Sequence, residues 1–295
     1  MPPCEHRVLL LGAAGGIGSA IRQGLAGRYG LMRLADIAPM SAAGQGEEIV
    51  HADLLNIPSL VAAMTGIDTV VHMAGVPVEP ETDAWAHVLP ANIVGVHNLF
   101  EAARLAAVRR VLFASSHHAA GFHRRDTPTA ETLVPRPDSY YGVSKVFGEA
   151  MGRMYVDKFG LQVLSMRIGA YRDRPSDIRQ LAVWISPRDM VELVRCGIEA
   201  PDFGYATVYG VSANTRSFWD NSDVAFLSYA PNDNAEDWAG EVLVGPPEDP
   251  IAAPFQGGWY CAKDFVGDVE RVDRAPQNPL IPTKVGTQAE DQQGS

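Results

Sequence analysis

The sequence predicts an α/β fold built on a doubly wound parallel sheet, and three observations carry that expectation. Short apolar runs alternate with segments of helical spacing through residues 1–170, a glycine-rich loop directly follows the first run, and an aspartate closes the second run about 20 residues later. The runs at 7–11, 31–36, 49–51, 69–73, 110–115 and 162–167 read as buried strands, because strands covered on both faces lose the polar alternation of a half-exposed sheet. Between them, Val96, Leu99, Phe100, Ala103 and Ala107 form one helical stripe. Val143, Val146, Phe147, Ala150 and Met154 form a second, ending near Gly160. Beyond residue 170 the alternation decays into turn-rich sequence carrying Trp184, Trp219, Trp238 and Trp259, which reads as a smaller C-terminal lobe.

Composition removes several classes of function. With 295 residues and 46% hydrophobic content the chain can bury a full core, yet no apolar run approaches the roughly 20 residues that span a bilayer, so no membrane partner is expected. The apolar stretch 8–21 imitates a secretion signal, but glycines interrupt it and few basic residues precede it. Cys4, Cys196 and Cys261 are too scattered for a disulfide framework or a metal knuckle, which points to a reducing cytoplasm. A net charge of -11, with no lysine or arginine stripe to offset it, repels a phosphate backbone, and no nucleic acid partner is expected.

The loop Gly12-Ala13-Ala14-Gly15-Gly16-Ile17-Gly18 places glycine where the backbone must turn tightly, approach a pyrophosphate and admit a packed helix. The N–H groups opening that helix then receive the phosphates. Asp36, closing the second run, is positioned to accept hydrogen bonds from ribose hydroxyls and would repel a 2′-phosphate, while Ile37 beside it offers no positive charge. The expected cofactor is therefore NAD rather than NADP, on a Rossmann sheet. Asp53-Leu54 and Met73-Ala74-Gly75 close the third and fourth runs at the edge where ligands of such sheets collect; His72 reads as a strand residue. The expected organisation is an NAD-binding domain over 1–170, an interleaved substrate-binding lobe over 171–274, and a tail over 275–295 too poor in large apolar residues to order itself.

Tyr141-Gly142-Val143-Ser144-Lys145 begins the second helical stripe, and a spacing of four sets the phenol and the ammonium on one face. A free tyrosine, with a pKa of about 10, is a poor base at neutral pH; a nearby lysine and a positive nicotinamide ring both favour its phenolate. Ser116, at the end of the fifth run, is placed to orient the reacting oxygen. Tyr140 stands five residues from Lys145 and points elsewhere. His117, His118 and His123 lack a cysteine or carboxylate at ligand spacing, so no metal is expected.

These motifs resemble the extended short-chain dehydrogenases/reductases of the NAD-dependent epimerase/dehydratase superfamily, and within them the uronate dehydrogenases. The likeness runs from about Val8 to Gly258 and rests on strings such as Leu34-Ala35-Asp36, Phe113-Ala114-Ser115-Ser116, Arg167-Ile168-Gly169, Trp219-Asp220-Asn221-Ser222 and Phe255-Gln256-Gly257-Gly258. The resemblance implies oxidation of C1 of a cyclic hexuronic acid to its lactone with NAD, with Tyr141 as base, Lys145 as its lysine and Ser116 as its serine. It adds Asn92 and Ile168 to the cofactor contacts, and it implies a homo-oligomer paired through helices. It also sets Arg179 where an arginine grips the substrate carboxylate, a role suited to a planar fork of donors. Three positions depart from the family pattern: Pro77 and Ala170 replace serines and His117 replaces an asparagine, so the sugar that fits is altered. Two alternatives stay open. One is a C1 dehydrogenase of another sugar or a sugar phosphate, with Arg172, Arg174 and Arg179 facing a phosphate; the other is an epimerase or dehydratase that retains its NAD.

Overall fold

The computed structural model describes residues 5–126 and 134–273; Cys4 and the tail expected over 275–295 lie outside them. Among the described residues, seven parallel strands form one sheet: β1 (Arg7–Leu11), β2 (Leu31–Asp36), β3 (Glu47–His51), β4 (Thr69–His72), β5 (Arg110–Ser116), β6 (Gln162–Ile168) and β9 (Tyr205–Gly210), in the order β3-β2-β1-β4-β5-β6-β9. The chain winds outward from β1 to β3 and returns to the other side of β1 at β4. That reversal opens a crevice between β1 and β4 at their C-terminal ends.

Side chains alternate between two cores along each strand, as the pleat requires. Val8 and Leu10 of β1 join one apolar cluster, with α1 (Gly16–Gly24) and α7 (Pro187–Glu199) packed on that face. Leu9 and Leu11 join the other, covered by α2 (Ile57–Met64), α4 (Gly95–Leu105) and α5 (Tyr140–Phe159). Burial on both faces is why the strands read as unbroken apolar runs.

Two helical expectations need correction. The α4 stripe stops short of Ala107, which takes φ 55° after the helix ends. On α5 the residues turned inward are Tyr141, Gly142, Ser144, Lys145, Gly148 and Gly152, whereas Val143 and Met154 of the apolar stripe are exposed. The reason is distance: a Cβ on Gly148 would collide with the Phe113 ring, and one on Gly152 would stand 2.8 Å from Val163 Cγ1. Small residues let α5 lie close on the sheet, bringing its first turn to the end of β5. Ser139 caps that turn by accepting the Gly142 N–H at 3.0 Å, and Gly160, at φ 72°, ends the helix.

A second, two-stranded parallel sheet, β7 (Ala170–Tyr171) with β8 (Trp184–Ile185), follows β6 over the short helix α6 (Gln180–Val183). Trp184 anchors it, donating from its indole to Arg172 O at 2.8 Å and packing against Trp238. Residues through Lys263 pack as one unit, which also holds α8 (Ala239–Val242) and α9 (Trp259–Ala262); a second unit begins at Asp264, and its described part carries α10 (Val269–Asp273). No helix among the described residues is long and apolar enough to cross a membrane.

Candidate active site

A cleft of ≈ 630 Å³ opens over the C-terminal ends of β1, β4, β5 and β6. The glycine loop forms one wall. Gly12 leaves β1 at φ +91°, where a Cβ would stand 2.5 Å from Ala74 N, and a Cβ on Gly18 would collide with Gly12 O. The chain's own backbone demands these two glycines. It does not demand Gly15 and Gly16: nothing lies within 4 Å of a Cβ built on Gly16, and only Gly12 O, at 3.4 Å, faces one on Gly15. Both are exposed and line the cleft, and Gly16 opens α1, whose first N–H groups have no intrahelical acceptor. The room left by their missing side chains is where a pyrophosphate fits, so the residues present suit a dinucleotide.

The Asp36 carboxylate accepts the N–H of Ala14 at 2.9 Å and of Ala38 at 3.0 Å, fastening the end of β2 to that loop. Ile17, Met73, Ala74, Gly75 and Ile168 line the cleft. Asp36, Ile37, Asp53, Leu54 and Asn92 lie outside its lining. Asp53 closes its own turn on the Leu55 N–H at 2.9 Å, and Leu54 packs against Gly95. Asn92 sits in a π-helical turn, 89–94, with its side chain committed to protein: it accepts the Val76 N–H at 2.8 Å and donates to Val76 O at 3.0 Å and Ser144 Oγ at 3.2 Å. It therefore shapes the segment after β4. His72 is buried and neutral, stacked on Phe113, with burial pushing it down to about 3.

Ser116, Tyr141 and Lys145 meet at the opposite wall. Burial pushes Tyr141 up to about 12, and the nearby Ser116 hydroxyl pulls it partway back. Lys145 Nζ stands 5.2 Å from the centroid of the Tyr141 ring and donates to Ala114 O at 2.8 Å, so it meets the ring rather than the hydroxyl. Tyr140 is exposed and rests on Trp85.

Burial also draws Lys145 down to about 8 from 10.5. Between those values the unfolded chain binds more protons than the folded one, so this group makes stability rise with pH across that window and burdens the fold fully below pH 8. Replacing Lys145 with Met is expected to raise the stability at neutral pH by about 1–2 kcal/mol, after allowance for the lost bond to Ala114, and to flatten the rise above pH 8. Urea unfolding of both forms at pH 7 and pH 10 checks it, and a Met variant less stable at pH 7 contradicts it.

Pro77, Ser116, His117, Ala170 and Arg179 line the same cleft, and Arg172 joins them. Arg174 turns outward, 3.8 Å from Glu241. His117 Nδ1 donates to Ile168 O at 3.0 Å, and its Nε2 lies 2.9 Å from Arg179 Nη1. His118 also lines the cleft and donates from Nδ1 to the Asp138 carboxylate at 2.7 Å, whereas His123 is bonded to Val134 O.

Three groups that sequence reading passed over shape this end. The Glu79 carboxylate accepts the Tyr141 backbone N–H at 3.0 Å, tying the segment after β4 to the first turn of α5. Tyr260 accepts the Glu79 N–H at 2.9 Å, and Asp138 holds His118. No local spacing could reveal them, because Glu79 and Tyr260 are 181 positions apart.

A sheet that sets a pyrophosphate cradle beside a buried phenol and ammonium belongs among the dinucleotide-dependent enzymes. The NAD dependent epimerase/dehydratase family matches residues 8–225, and the chain belongs to that family. It is 40% identical to the uronate dehydrogenase of Pseudomonas putida over 87% of this chain and 96% of that protein. Among solved structures it resembles a glucuronic acid dehydrogenase from Chromohalobacter salexigens, with TM-score 0.82 and 41% identity over 87% of this chain and 97% of that one. A mutant uronate dehydrogenase from Agrobacterium tumefaciens complexed with NAD is similar at TM-score 0.82 and 39% identity, covering 88% of this chain and 97% of its own.

Proposed function

We propose that the protein is an NAD-dependent dehydrogenase that oxidises the C1 hemiacetal of a hexuronic acid, or a closely related sugar acid, to its lactone. The observation that carries this reading is the cleft itself, which brings Tyr141 and Ser116 together with a dinucleotide cradle and the guanidinium of Arg179. Similarity to uronate dehydrogenases at about 40% identity supports the substrate class. Bound NAD supplies the hydride acceptor and a positive ring charge that favours the phenolate.

Tyr141 takes the proton of the C1 hydroxyl while the hydrogen on C1 departs as hydride, leaving the carbonyl of the lactone. Ser116 holds the reacting oxygen through its hydroxyl. Lys145 keeps the Tyr141 ring in place from below and adds positive charge beside it. Arg179 receives the substrate carboxylate. Asp36, with exposed Ile37 beside it, leaves a 2′-phosphate without a counter-charge, which supports NAD over NADP. The lobe around β7 and β8 forms the substrate side; the exposed apolar residues of α4 and α5, Leu105, Val143 and Met154 among them, support self-association in a homo-oligomer, and the scattered cysteines fit a reducing cytoplasm.

Purified protein supplied with NAD and glucuronate or galacturonate is expected to accumulate NADH, followed by its near-ultraviolet absorbance, with a lactone as co-product. A panel of uronates, aldoses and sugar phosphates that yields no NADH at all sinks the reading.

A further inference from the structure

Arg179 enters the cleft with no carboxylate in contact among the described residues; Asp177, Asp138 and Glu248 act on it only from farther off. Among the described residues its hydrogen bonds run from Nη1 to two neutral acceptors, His117 Nε2 at 2.9 Å and Gln256 O at 3.4 Å, and it forms no ion pair. A guanidinium withdrawn from water is expensive to leave without a directly bonded anion, so its free N–H groups are available to one. On its other side Gly258, at φ +63°, leaves the space: a Cβ there would stand 2.5 Å from Arg179 Nε.

The two partners of His117 fix one tautomer. Ile168 O can only accept, so Nδ1 carries the proton; an arginine can only donate, so Nε2 is bare. Adding a proton at Nε2 would break the bond to Arg179 and set two cations side by side. Burial, reinforced by His118 and Arg179, holds the imidazole far below its ordinary pKa and so keeps it neutral. The ring is 4% exposed, packed beside His118 and Trp219, and tied through Ile168 to the last residue of β6. It is a rigid neutral acceptor mounted on the sheet.

We infer that His117 is a positioning residue that aims Arg179 at the substrate carboxylate without neutralising it, and that the preference for an anionic sugar depends on this contact. A carboxylate in its place would hold the arginine but cancel its charge. A neutral acceptor engages one N–H of the fork and leaves the rest for the ligand. The inference rests on the sugar-acid reading of the cleft and adds the device that enforces it.

The test compares a hexuronate with its methyl ester, which keeps the ring hydroxyls and removes the charge. In His117→Ala, the ratio of kcat/KM for the uronate to that for the ester is expected to fall by on the order of tenfold, carried by KM rather than kcat, since a bond to a charged group is lost. His117→Gln, whose Oε1 reaches the place of Nε2 and accepts the same N–H, is expected to recover most of the ratio. His117→Leu, which fills similar space without an acceptor, is expected to stay with Ala, whereas a role limited to filling space predicts that Leu recovers the ratio as well as Gln does. Wild-type turnover with an unchanged ratio in His117→Ala, or equal losses in Ala and Gln, overturns this inference alone. Absence of any wild-type turnover overturns the proposed function together with it, so the two failures are told apart.

Discussion

Tyr141→Phe is expected to lower kcat/KM by about 1000-fold, within the range that a positioned general base contributes, while NAD affinity stays within about threefold of wild type. The substitution removes one oxygen. The ring keeps its contact with Lys145 Nζ, 5.2 Å from its centroid, and its edge-on packing against His118, so the first turn of α5 and the cleft around it have no reason to move. What is lost is the hydroxyl that sits beside Ser116 and takes the substrate proton. The pH profile separates this loss from a general disturbance. Because burial holds Tyr141 as high as about 12, the reactive phenolate fraction grows with pH, and the wild-type rate is expected to climb toward the alkaline side. In the Phe variant that limb should vanish. Initial rates across pH, with NAD binding followed by fluorescence, check both parts; a Phe variant that keeps a tenth of the activity contradicts the assignment.

Gly16→Asp carries the second large effect, and its two consequences have opposite signs. Gly16 is the first residue of α1, with open space where a Cβ would stand. A carboxylate there complements the positive end of the helix, and any side chain lowers the entropy lost by glycine on folding, so the protein alone should be as stable as wild type or more stable by up to about 1 kcal/mol. The same carboxylate projects into the space left for a pyrophosphate, where bulk and like charge both oppose the ligand. NAD affinity is expected to fall by on the order of 100-fold, equivalent to ~2.7 kcal/mol. Thermal melts paired with NAD titrations measure the two together. Had Gly16 been needed by the fold, stability would fall along with affinity; had the loop bound nothing, affinity would stay.

The interior of the sheet was legible because of its surroundings. β1, β2, β4, β5 and β6 lie between two helical layers, so each is a continuous apolar run whose ends are marked by glycine, aspartate or serine at the cleft edge. β3 was read short, at 49–51, because it is the edge strand and its first residues are Glu47 and Glu48. β9, at the other edge, was missed: Tyr205–Gly210 follows the turn-rich stretch after α7, with no nucleotide-loop signature to flag it. The stripe that marks the helix bringing the chemistry is only partly inward: Phe147 packs on the core, while Val143, Ala150 and Met154 are exposed. The rest of the helix's inward face is made of Gly, Ser, Lys and Tyr, which hydrophobic periodicity does not count.

The cleft divides the same way. The glycine loop and the Tyr141–Lys145 spacing are local signals, set by one turn and one helix, and local signals survive in sequence. The substrate end depends on Arg179 and Tyr260 in the cleft lining and on Glu79 and Asp138 behind it, which come together only because the segment after β4, the lead-in to α5, the link from β7 to α6 and the first turn of α9 converge. The bond between His117 and Arg179 spans 62 positions and fixes a tautomer that composition cannot express.

The central claim is that a proton leaves to Tyr141 as hydride leaves C1 for a cofactor that is then released. Uronate carrying deuterium at C1, incubated with the protein and excess NAD, tests it directly by NMR of both products. The account predicts that the label appears on the nicotinamide of free NADH and that the lactone carries none. Label that stays on a sugar whose configuration has changed, with no reduced cofactor in solution, would contradict it and mark an enzyme that keeps its NAD and returns the hydride.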